Sequence, residues 1–256
     1  MMRSAESADS PTTVWFYPLL AAVVFAAVWE GLVRQFDVPR YLLPSPSTIF
    51  QAGAARIDSL LMDTAITVGE AAVGFTIGSS LAFIVGAVFA HFRRIERAFS
   101  PMFVALQAVP LIAIAPLLIV WMGNGFMSKV TMAALICFFP MVIATAAGLS
   151  KAPADSEDLM TSLGSSAWQR FKLLRLPNSI PFLLAGLKVN ASLAVIGAIV
   201  SELAGAGQGI GFQILMASYK TDTPMLFAAI FFAALSGIVF FKVVEAFERR
   251  VVKKYG

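Results

Sequence analysis

The sequence predicts an all-α, polytopic membrane protein with six transmembrane helices. Of its 256 residues, 59% are hydrophobic and 13% are charged, whereas soluble domains carry about 25% charged residues. The mean hydropathy is +0.82. Six apolar stretches are long enough to span about 30 Å of hydrocarbon. They are 14–33, 65–90, 98–122, 129–149, 181–203 and 224–244. These spans leave no room for a soluble domain, so we expect residues 1–256 to form a single transmembrane domain.

The first span is expected to stay as a signal anchor, because it is too long for the apolar part of a signal peptide and lacks a clear cleavage site. Fourteen of the nineteen lysines and arginines fall on the side that carries both termini. Because basic loops stay in the cytoplasm, we expect cytoplasmic tails at 1–13 and 245–256 and a cytoplasmic loop at 150–180. The location is then the inner (plasma) membrane. The net charge of +4 reflects topology and does not indicate nucleic-acid binding.

The second span carries small residues at every fourth position. They are Gly74, Gly78, Ala82, Gly86 and Ala90. Such a stripe lets helix backbones approach closely in lipid, and its drift around the helix favours a partner that crosses. Glu70 lies one step earlier on the same face. An ionisable group within hydrocarbon usually marks function, whereas an acid near the outer surface is solvated or paired, and both interpretations stay open.

The third and fifth spans carry the remaining polar candidates. The third contains Gln107, Pro110 and Pro116, and each proline is expected to kink its helix. The fifth contains Asn190, and Glu202 near its outer end. Because an unpaired amide in hydrocarbon is costly, we expect Gln107 and Asn190 to face a pathway at a subunit interface. Glu202 either joins this pathway or sits at the outer interface. The candidate pathway residues are therefore Glu70, Gln107, Asn190 and Glu202.

No constellation for covalent chemistry or metal binding is evident in the sequence. It has one histidine, His91, and one cysteine, Cys137, which we expect to be buried in the fourth span. The glycine run at 205–211 does not match a dinucleotide-binding pattern and follows a membrane helix, so it predicts a flexible turn outside the membrane. We expect no catalytic residue, no metal site and no cofactor in this chain.

The longest polar interruption, 150–180, predicts two short helices. Residues 154–163 have helical composition, Gly164 breaks the helix, and the serines that follow offer a new N-cap. Residues 168–176 form a second amphipathic helix, which Pro177 is expected to end. Two such helices in one loop favour a docking surface, although basic amphipathic helices also rest on lipid headgroups.

This loop resembles the Glu-Ala-Ala loop of permease subunits in bacterial ABC importers. The family pattern is Glu-Ala-Ala, three residues, Gly, nine residues, an aliphatic residue, one residue and Leu-Pro. The second half fits from Gly164 onwards, and the first half keeps an acid but loses both alanines. In that family the loop is a coupling helix that inserts into a groove of the ATPase subunit. The resemblance assigns the coupling role to Asp158, Leu159, Met160, Gly164, Leu174, Leu176 and Pro177.

The resemblance extends over nearly the whole chain. Residues 43–46 (Leu-Pro-Ser-Pro), residues 109–123 and the pair Ser201-Glu202 before the glycine turn are similar to the nitrate, sulfonate, taurine and thiamine-precursor branch. Sulfonate and taurine relatives commonly carry an arginine where this chain has Glu70. The resemblance therefore favours a neutral or cationic heterocycle, such as a thiamine pyrimidine precursor or riboflavin, over sulfonate, taurine or nitrate.

The function implied by the resemblance is that of an importer permease working by alternating access. The implied partners are a second copy of the permease, two copies of an ABC ATPase that bind ATP and Mg, and a periplasmic or lipid-anchored binding protein. The alternative is a proton-coupled secondary transporter without an ATPase, in which Glu70 or Glu202 carries protons. Such transporters often show internal repeats, and none is evident here. The missing catalytic constellation disfavours a membrane-embedded enzyme.

Overall fold

The chain folds into a bundle of α-helices whose longest members have membrane length. The computed structural model describes residues 11–205 and 207–255. A π turn, Phe171–Arg175, connects two of the helices. In chain order the helices are α1 (Pro11–Gln35), α2 (Pro46–Ala55), α3 (Ile57–His91), α4 (Arg93–Gln107), α5 (Leu111–Met122), α6 (Phe126–Leu149), α7 (Ala154–Ser162), α8 (Ala167–Arg170), α9 (Leu176–Leu203), α10 (Ile210–Tyr219) and α11 (Thr223–Tyr255). The described residues contain no strand, which confirms the all-α class.

Five stretches of described helix are long and apolar enough to cross a membrane. They are Phe16–Gln35, Ile57–His91, Phe126–Leu149, Ala167–Leu203 and Thr223–Lys253. The predicted third span, 98–122, is instead two helices, α4 and α5, separated at residues 108–110. Pro110 has no backbone N–H and disfavours helical backbone at the residue before it. The expected kink is therefore a full break there, whereas Pro116 is accommodated inside α5.

Other boundaries also differ from the sequence prediction. α3 begins at Ile57, eight residues before the predicted span, and α11 continues to Tyr255. The predicted C-terminal tail at 245–256 is therefore a helical extension of the last span as far as the structure describes it. Its Glu, Arg and Lys residues are good helix formers. Residues 1–10 of the predicted N-terminal tail, 1–13, lie outside the described residues. α1 starts at Pro11, so the last three residues of the predicted tail are helical.

The glycine stripe of α3 packs against α6. A Cβ atom added at Gly74 would lie 2.5 Å from the Ala133 Cβ, and one added at Gly78 would lie 2.8 Å from the Ala134 Cα. Farther along, a Cβ at Gly86 would lie 2.6 Å from an atom of the α6 side chain Thr145. Close contact is kept from Gly74 to Gly86, so α6 lies alongside α3. The stripe is confirmed as a packing face, but the expectation of a partner that crosses it is wrong.

α6 also packs against α9, and α9 contacts α3 directly, so these three helices form the centre of the bundle. Gly186 and Gly197 of α9 allow this approach, since a Cβ at Gly197 would lie 2.8 Å from the Ala133 Cα. α11 packs on α9, and α10 packs on both. α1 lies at the periphery with most of its side chains exposed. Its C-terminal half contacts the bundle through Trp29, whose ring centroid is 5.9 Å from that of Phe227 in α11.

Candidate functional site: the 150–180 loop and two buried polar groups

The 150–180 loop contains two helices joined by a tight glycine turn. At the end of α7, Gly164 N donates to Thr161 O at 2.9 Å and Ser165 N donates to Met160 O at 3.0 Å. This is a Schellman arrangement, which satisfies the last carbonyls of a helix. Gly164 has a φ of +74°, a conformation that costs other residues roughly 1–2 kcal/mol. Ser166 then starts α8 with a capping box. The predicted glycine break and serine N-cap are confirmed.

Pro177 does not end the second helix, contrary to the sequence prediction. It lies in the first turn of α9, and helix continues from Ala167 to Leu203 over 37 residues. In the π turn before it, Leu176 N donates to the carbonyl of Phe171, five residues back. A proline cannot donate a helical hydrogen bond, and its ring clashes with the carbonyl four residues back. The wider π turn accommodates it, so the loop and the span form one element.

An ion pair holds α7 against this element. Arg175 Nη2 donates to Glu157 Oε2 at 3.0 Å, and Arg175 Nε donates to Glu157 Oε1, which makes the contact bidentate. The hydrogen bonds from Arg175 hold the pKa of the Glu157 carboxyl below its usual value. Sequence reasoning missed Glu157. The only available signal was that acidic residues gather in α7 while basic residues follow in the next helix.

The loop exposes four large apolar side chains. Leu159, Leu163, Trp168 and Leu173 are 61%, 77%, 68% and 64% exposed. The Trp168 ring is stacked on Phe171 with centroids 5.5 Å apart. Of the other predicted coupling residues, three are exposed, namely Asp158, Gly164 and Pro177. The remaining three are half-buried, namely Met160, Leu174 and Leu176. We call the four exposed side chains the apolar patch. Exposed large apolar side chains on a polar loop favour an interaction surface, and the coupling role of the loop stays a prediction.

Asn190 belongs to a buried polar group that lies inside the subunit. Its Nδ2 donates to Ser79 Oγ on α3 at 3.0 Å and to the Cys137 carbonyl on α6 at 2.8 Å. The fully buried amide thus joins three helices. The expectation that it faces a partner subunit is wrong for this conformation, because its own chain supplies the hydrogen bonds. A pathway role for Asn190 stays a prediction. Gln107 is the last residue of α4, and its side chain lies outside the described part of the structure.

The second buried polar group holds the start of α10. Glu202 is fully buried; its Oε1 accepts from the Thr67 hydroxyl at 2.6 Å and its Oε2 accepts from Gly211 N at 2.6 Å. Thr67 Oγ1 accepts from Ile210 N at 2.9 Å. Asp63 Oδ1 accepts from the preceding amide, Gly209 N, at 2.9 Å. We call Asp63, Thr67 and Glu202 the α10 clamp.

Glycines in the turn make room for the clamp. A Cβ atom at Gly209 would overlap the Glu202 carboxylate, and one at Gly211 would lie 2.8 Å from Glu202 Oε2. Gly209 also has a φ of +102°. The sequence predicts a flexible turn at 205–211, but its end at 209–211 is held by three side-chain acceptors, of which Thr67 and Glu202 are buried and Asp63 is half-buried. Where the prediction placed only a turn, a ten-residue helix, α10, follows.

Glu70 lies one helical turn from Thr67 and is 4% exposed. Its carboxyl group lies beside that of Glu202, and among the described residues its Oε2 has no hydrogen-bond partner. Lys129 on α6 is also buried, and its Nζ donates to Asn124 Oδ1 at 2.8 Å. Glu70 is neither solvated nor on the subunit surface. Pathway roles for Glu70 and Glu202 stay predictions.

The residues that sequence reasoning missed here did leave a signal. Asp63, Thr67 and Glu70 are spaced by four and three residues, which places them on one face of α3. The same spacing continues directly into the glycine stripe at Gly74. A polar extension of a packing face indicates polar groups that are held between helices.

Comparison with known proteins agrees with this fold. The family model described as binding-protein-dependent transport system inner membrane component matches residues 74–253. The chain is 33% identical over 232 residues to the formylaminopyrimidine transport permease protein ThiX of Halalkalibacterium halodurans, covering 90% of this chain and 92% of that protein. It is 32% identical over 254 residues to the riboflavin transport system permease protein RibX of Chloroflexus aurantiacus, covering 98% and 94%.

Two further similarities concern a sulfonate relative and a solved structure. The putative aliphatic sulfonates transport permease protein SsuC of Bacillus subtilis is 30% identical over 241 residues, covering 93% of this chain and 87% of that protein. A chain of the inward-facing MetNI methionine ABC transporter superposes with a TM-score of 0.66, over 79% of this chain and 98% of that one. At 15% identity, that likeness shows the fold. Together with the family match over most of the chain, these relatives show that the chain belongs to the binding-protein-dependent transport system inner membrane components, the permease subunits of ABC importers.

Proposed function

We propose that this chain forms, with a second copy of itself, the pathway of an ATP-driven importer for a small organic nutrient. An extracytoplasmic binding protein delivers the nutrient. Two copies of an ATPase subunit bind ATP and Mg and dock on the 150–180 loops. The distribution of basic residues supports a cytoplasmic position for these loops and for both termini. The observation that carries the proposal is the apolar patch at the end of a helix that continues into a membrane span.

The geometry of the loop suits docking of a protein partner. Exposed leucines and a tryptophan are costly in water and are favoured where a partner covers them. Two features fix the patch before a partner arrives, namely the ion pair between Glu157 and Arg175 and the turn at Gly164. A preorganised surface loses less conformational entropy on binding.

The need for a second copy follows from the packing of the bundle. α3, α6 and α9 pack against one another, and the contacts at Gly78 and Gly197 bring the helix backbones together. A solute of nutrient size does not fit through such an interior, since a close-packed core holds few voids larger than a water molecule. A pathway therefore requires a second wall, and a second copy of the permease supplies it.

For the substrate we propose a heterocycle of the thiamine-pyrimidine or riboflavin class. Support comes from relatives at 33% and 32% identity that are named for formylaminopyrimidine and riboflavin transport. The relative named for aliphatic sulfonates is 30% identical. The position of Glu70 adds little, because its carboxyl group is buried inside the subunit and does not face a solute in this conformation.

Co-purification tests the docking proposal. The tagged permease is co-expressed with its candidate ATPase, and the amount of ATPase retained is measured. Leu163→Asp changes a 77% exposed patch residue and should reduce retention strongly. Leu19→Ala is a control on α1, where Leu19 is 67% exposed and the variant stays apolar. Normal retention by the Leu163 variant, or equal loss in both variants, would contradict docking at the patch.

The substrate is tested on the binding protein rather than on the permease. The purified binding protein is heated with thiamine precursors, riboflavin, sulfonates or nitrate, because a ligand that binds the folded state raises its melting temperature. Stabilisation by an anion alone contradicts the heterocycle proposal. The proton-coupled alternative is disfavoured by the family, and uptake that persists without any ATPase would revive it.

A further inference from the structure

The α10 clamp holds its helix by the backbone. Three consecutive amides, at residues 209–211, donate to Asp63, Thr67 and Glu202 at 2.9, 2.9 and 2.6 Å. The first amides of a helix lack partners within that helix, and negative charge is favoured at this end. Side chains of α3 and α9 therefore provide the hydrogen-bond acceptors that the first amides of α10 lack within their own helix.

Apart from Gln213, whose Nε2 donates to Asp63 Oδ2 at 2.6 Å, the remaining attachment of α10 is apolar. Its residues Ile210 and Ala217 are buried in a cluster with Leu60 of α3 and with Met225 and Ala228 of α11. Such contacts are not directional. The hydrogen bonds of the clamp are directional and fix where α10 begins.

Glu202 stands at the far end of the helix that carries Trp168 and Leu173 of the apolar patch. Helix from Ala167 to Leu203 is continuous over 37 residues, a length of about 55 Å at 1.5 Å per residue. A displacement at the Trp168 end tilts or shifts the whole element unless the π turn absorbs it. Thr67 belongs to a different span, α3, and its hydroxyl bonds both Glu202 and the start of α10.

We propose that Thr67 and Glu202 are positioning residues of the transport cycle, which deliver movement of the ATPase-docked loop to α10. This inference rests on the proposed function, because it needs an ATPase on the 150–180 loop. When α9 shifts relative to α3, the bond between Thr67 and Glu202 must lengthen or break, and both groups hold amides of α10. The start of α10 is therefore the part of the chain most directly affected.

The chain offers matched variants for the test. Thr67→Val removes the hydroxyl and keeps the shape, whereas Thr67→Ser keeps the hydroxyl. Thr76→Val is the control on the same helix, because the Thr76 hydroxyl donates to the carbonyl of Ala72 in its own helix at 2.8 Å. Gly211→Ala tests the clamp from the other side, since its Cβ would lie 2.8 Å from Glu202 Oε2 and 2.7 Å from the Ile199 carbonyl oxygen, and would push the start of α10 away from α9. Gly207→Ala is its control, as a Cβ there meets no atom within 4 Å.

Hydrogen–deuterium exchange measures whether a change at the ATPase alters the start of α10, and it does not require that the solute be known. The complete permease–ATPase complex is compared with and without ATP, Mg and orthovanadate, which trap the ATPase, and exchange is followed at residues 209–213. We expect trapping to change exchange there about tenfold in the wild type, in Thr67→Ser and in both controls. Thr67→Val and Gly211→Ala should retain the ATPase and its hydrolysis but lose the response to trapping.

Different failures are distinguishable. An α10 response that persists in Thr67→Val overturns the inference, as does a trapped wild type that responds in the loop but not at 209–213. Faster exchange in Thr67→Val with an unchanged response to trapping also overturns it, since the clamp is then structural alone. A wild-type permease that retains no ATPase overturns the proposed function and this inference with it.

Discussion

Gly78 is the position where the smallest possible addition should cost most. In Gly78→Ala the new Cβ would lie 2.8 Å from the Ala134 Cα and 3.0 Å from its carbonyl carbon, whereas ordinary contact begins at 3.4 Å. The atoms in the way belong to the backbone of α6 and cannot rotate aside. The new Cβ would also overlap the Ala134 carbonyl oxygen, so the helices must separate by about 0.5–1 Å, and a gap of that size forfeits a quarter to a half of each dispersion contact.

The expected loss of stability is about 1–3 kcal/mol, the usual range for overpacking. Gly69→Ala is the matched control on the same helix, because a Cβ at Gly69 meets no atom within 4 Å. In solution a glycine-to-alanine change in a helix is favourable by up to about 1 kcal/mol. Two alanines placed nine residues apart on α3 should therefore have opposite effects.

The single cysteine provides the assay. Cys137 is fully buried and reacts with a thiol reagent only when the bundle opens. A loss of about 1–3 kcal/mol corresponds to labelling roughly 5- to 150-fold faster in detergent, and Gly69→Ala should not accelerate it. Equal labelling rates in Gly78→Ala and Gly69→Ala would refute the reasoning, because backbone contact between α3 and α6 would then not limit stability.

Three further predictions concern the loop and the buried amide. Gly164→Val should weaken ATPase retention without affecting membrane insertion. Gly123→Val is the control, because Gly123 has a φ of +80° in similarly open space, and it should leave retention unchanged. Equal losses of retention in the two variants would contradict a special role for the loop. Glu157→Arg should reduce retention and the double variant with Arg175→Glu should restore it; no restoration argues against the ion pair. Because the pKa of Glu157 is lowered on folding, this pair stabilises the loop at neutral pH, and its contribution should fade as the pH drops below about 4.5. Asn190→Leu should cost about 1–3 kcal/mol in the Cys137 assay, and unchanged labelling would show that the bonds of this amide contribute little.

Features that depend on local chemistry could be predicted from the sequence. The glycine stripe follows from helical spacing, and the turn at Gly164 and the cap at Ser166 follow from the conformational preferences of those residue types. The apolar spans follow from composition. The break at Pro110 was anticipated as a kink, because the sequence does not show whether neighbouring helices will support a continuous axis.

Features that depend on distant partners could not be predicted. Glu202 is bonded to Thr67, 135 residues away, and Asn190 to Ser79, 111 residues away. The sequence alone therefore identifies Glu202 and Asn190 as polar residues in membrane spans but does not identify their partners. The prediction that Pro177 ends a helix failed for a different reason. The rule that proline ends a helix describes α-helical hydrogen bonds, and a π turn offers the backbone another arrangement.

The loose attachment of α1 has a consequence for biogenesis. Its ring contact joins Trp29 to Phe227, and Glu30 accepts from Ser47 N at 3.0 Å. Trp29 is synthesised long before Phe227, which belongs to the last span that the structure describes. A single helix can wait in lipid, because it satisfies its own backbone hydrogen bonds. The bond from Ser47 can therefore form early in synthesis, whereas the contact of α1 with Phe227 must wait for α11, so α1 completes its docking late.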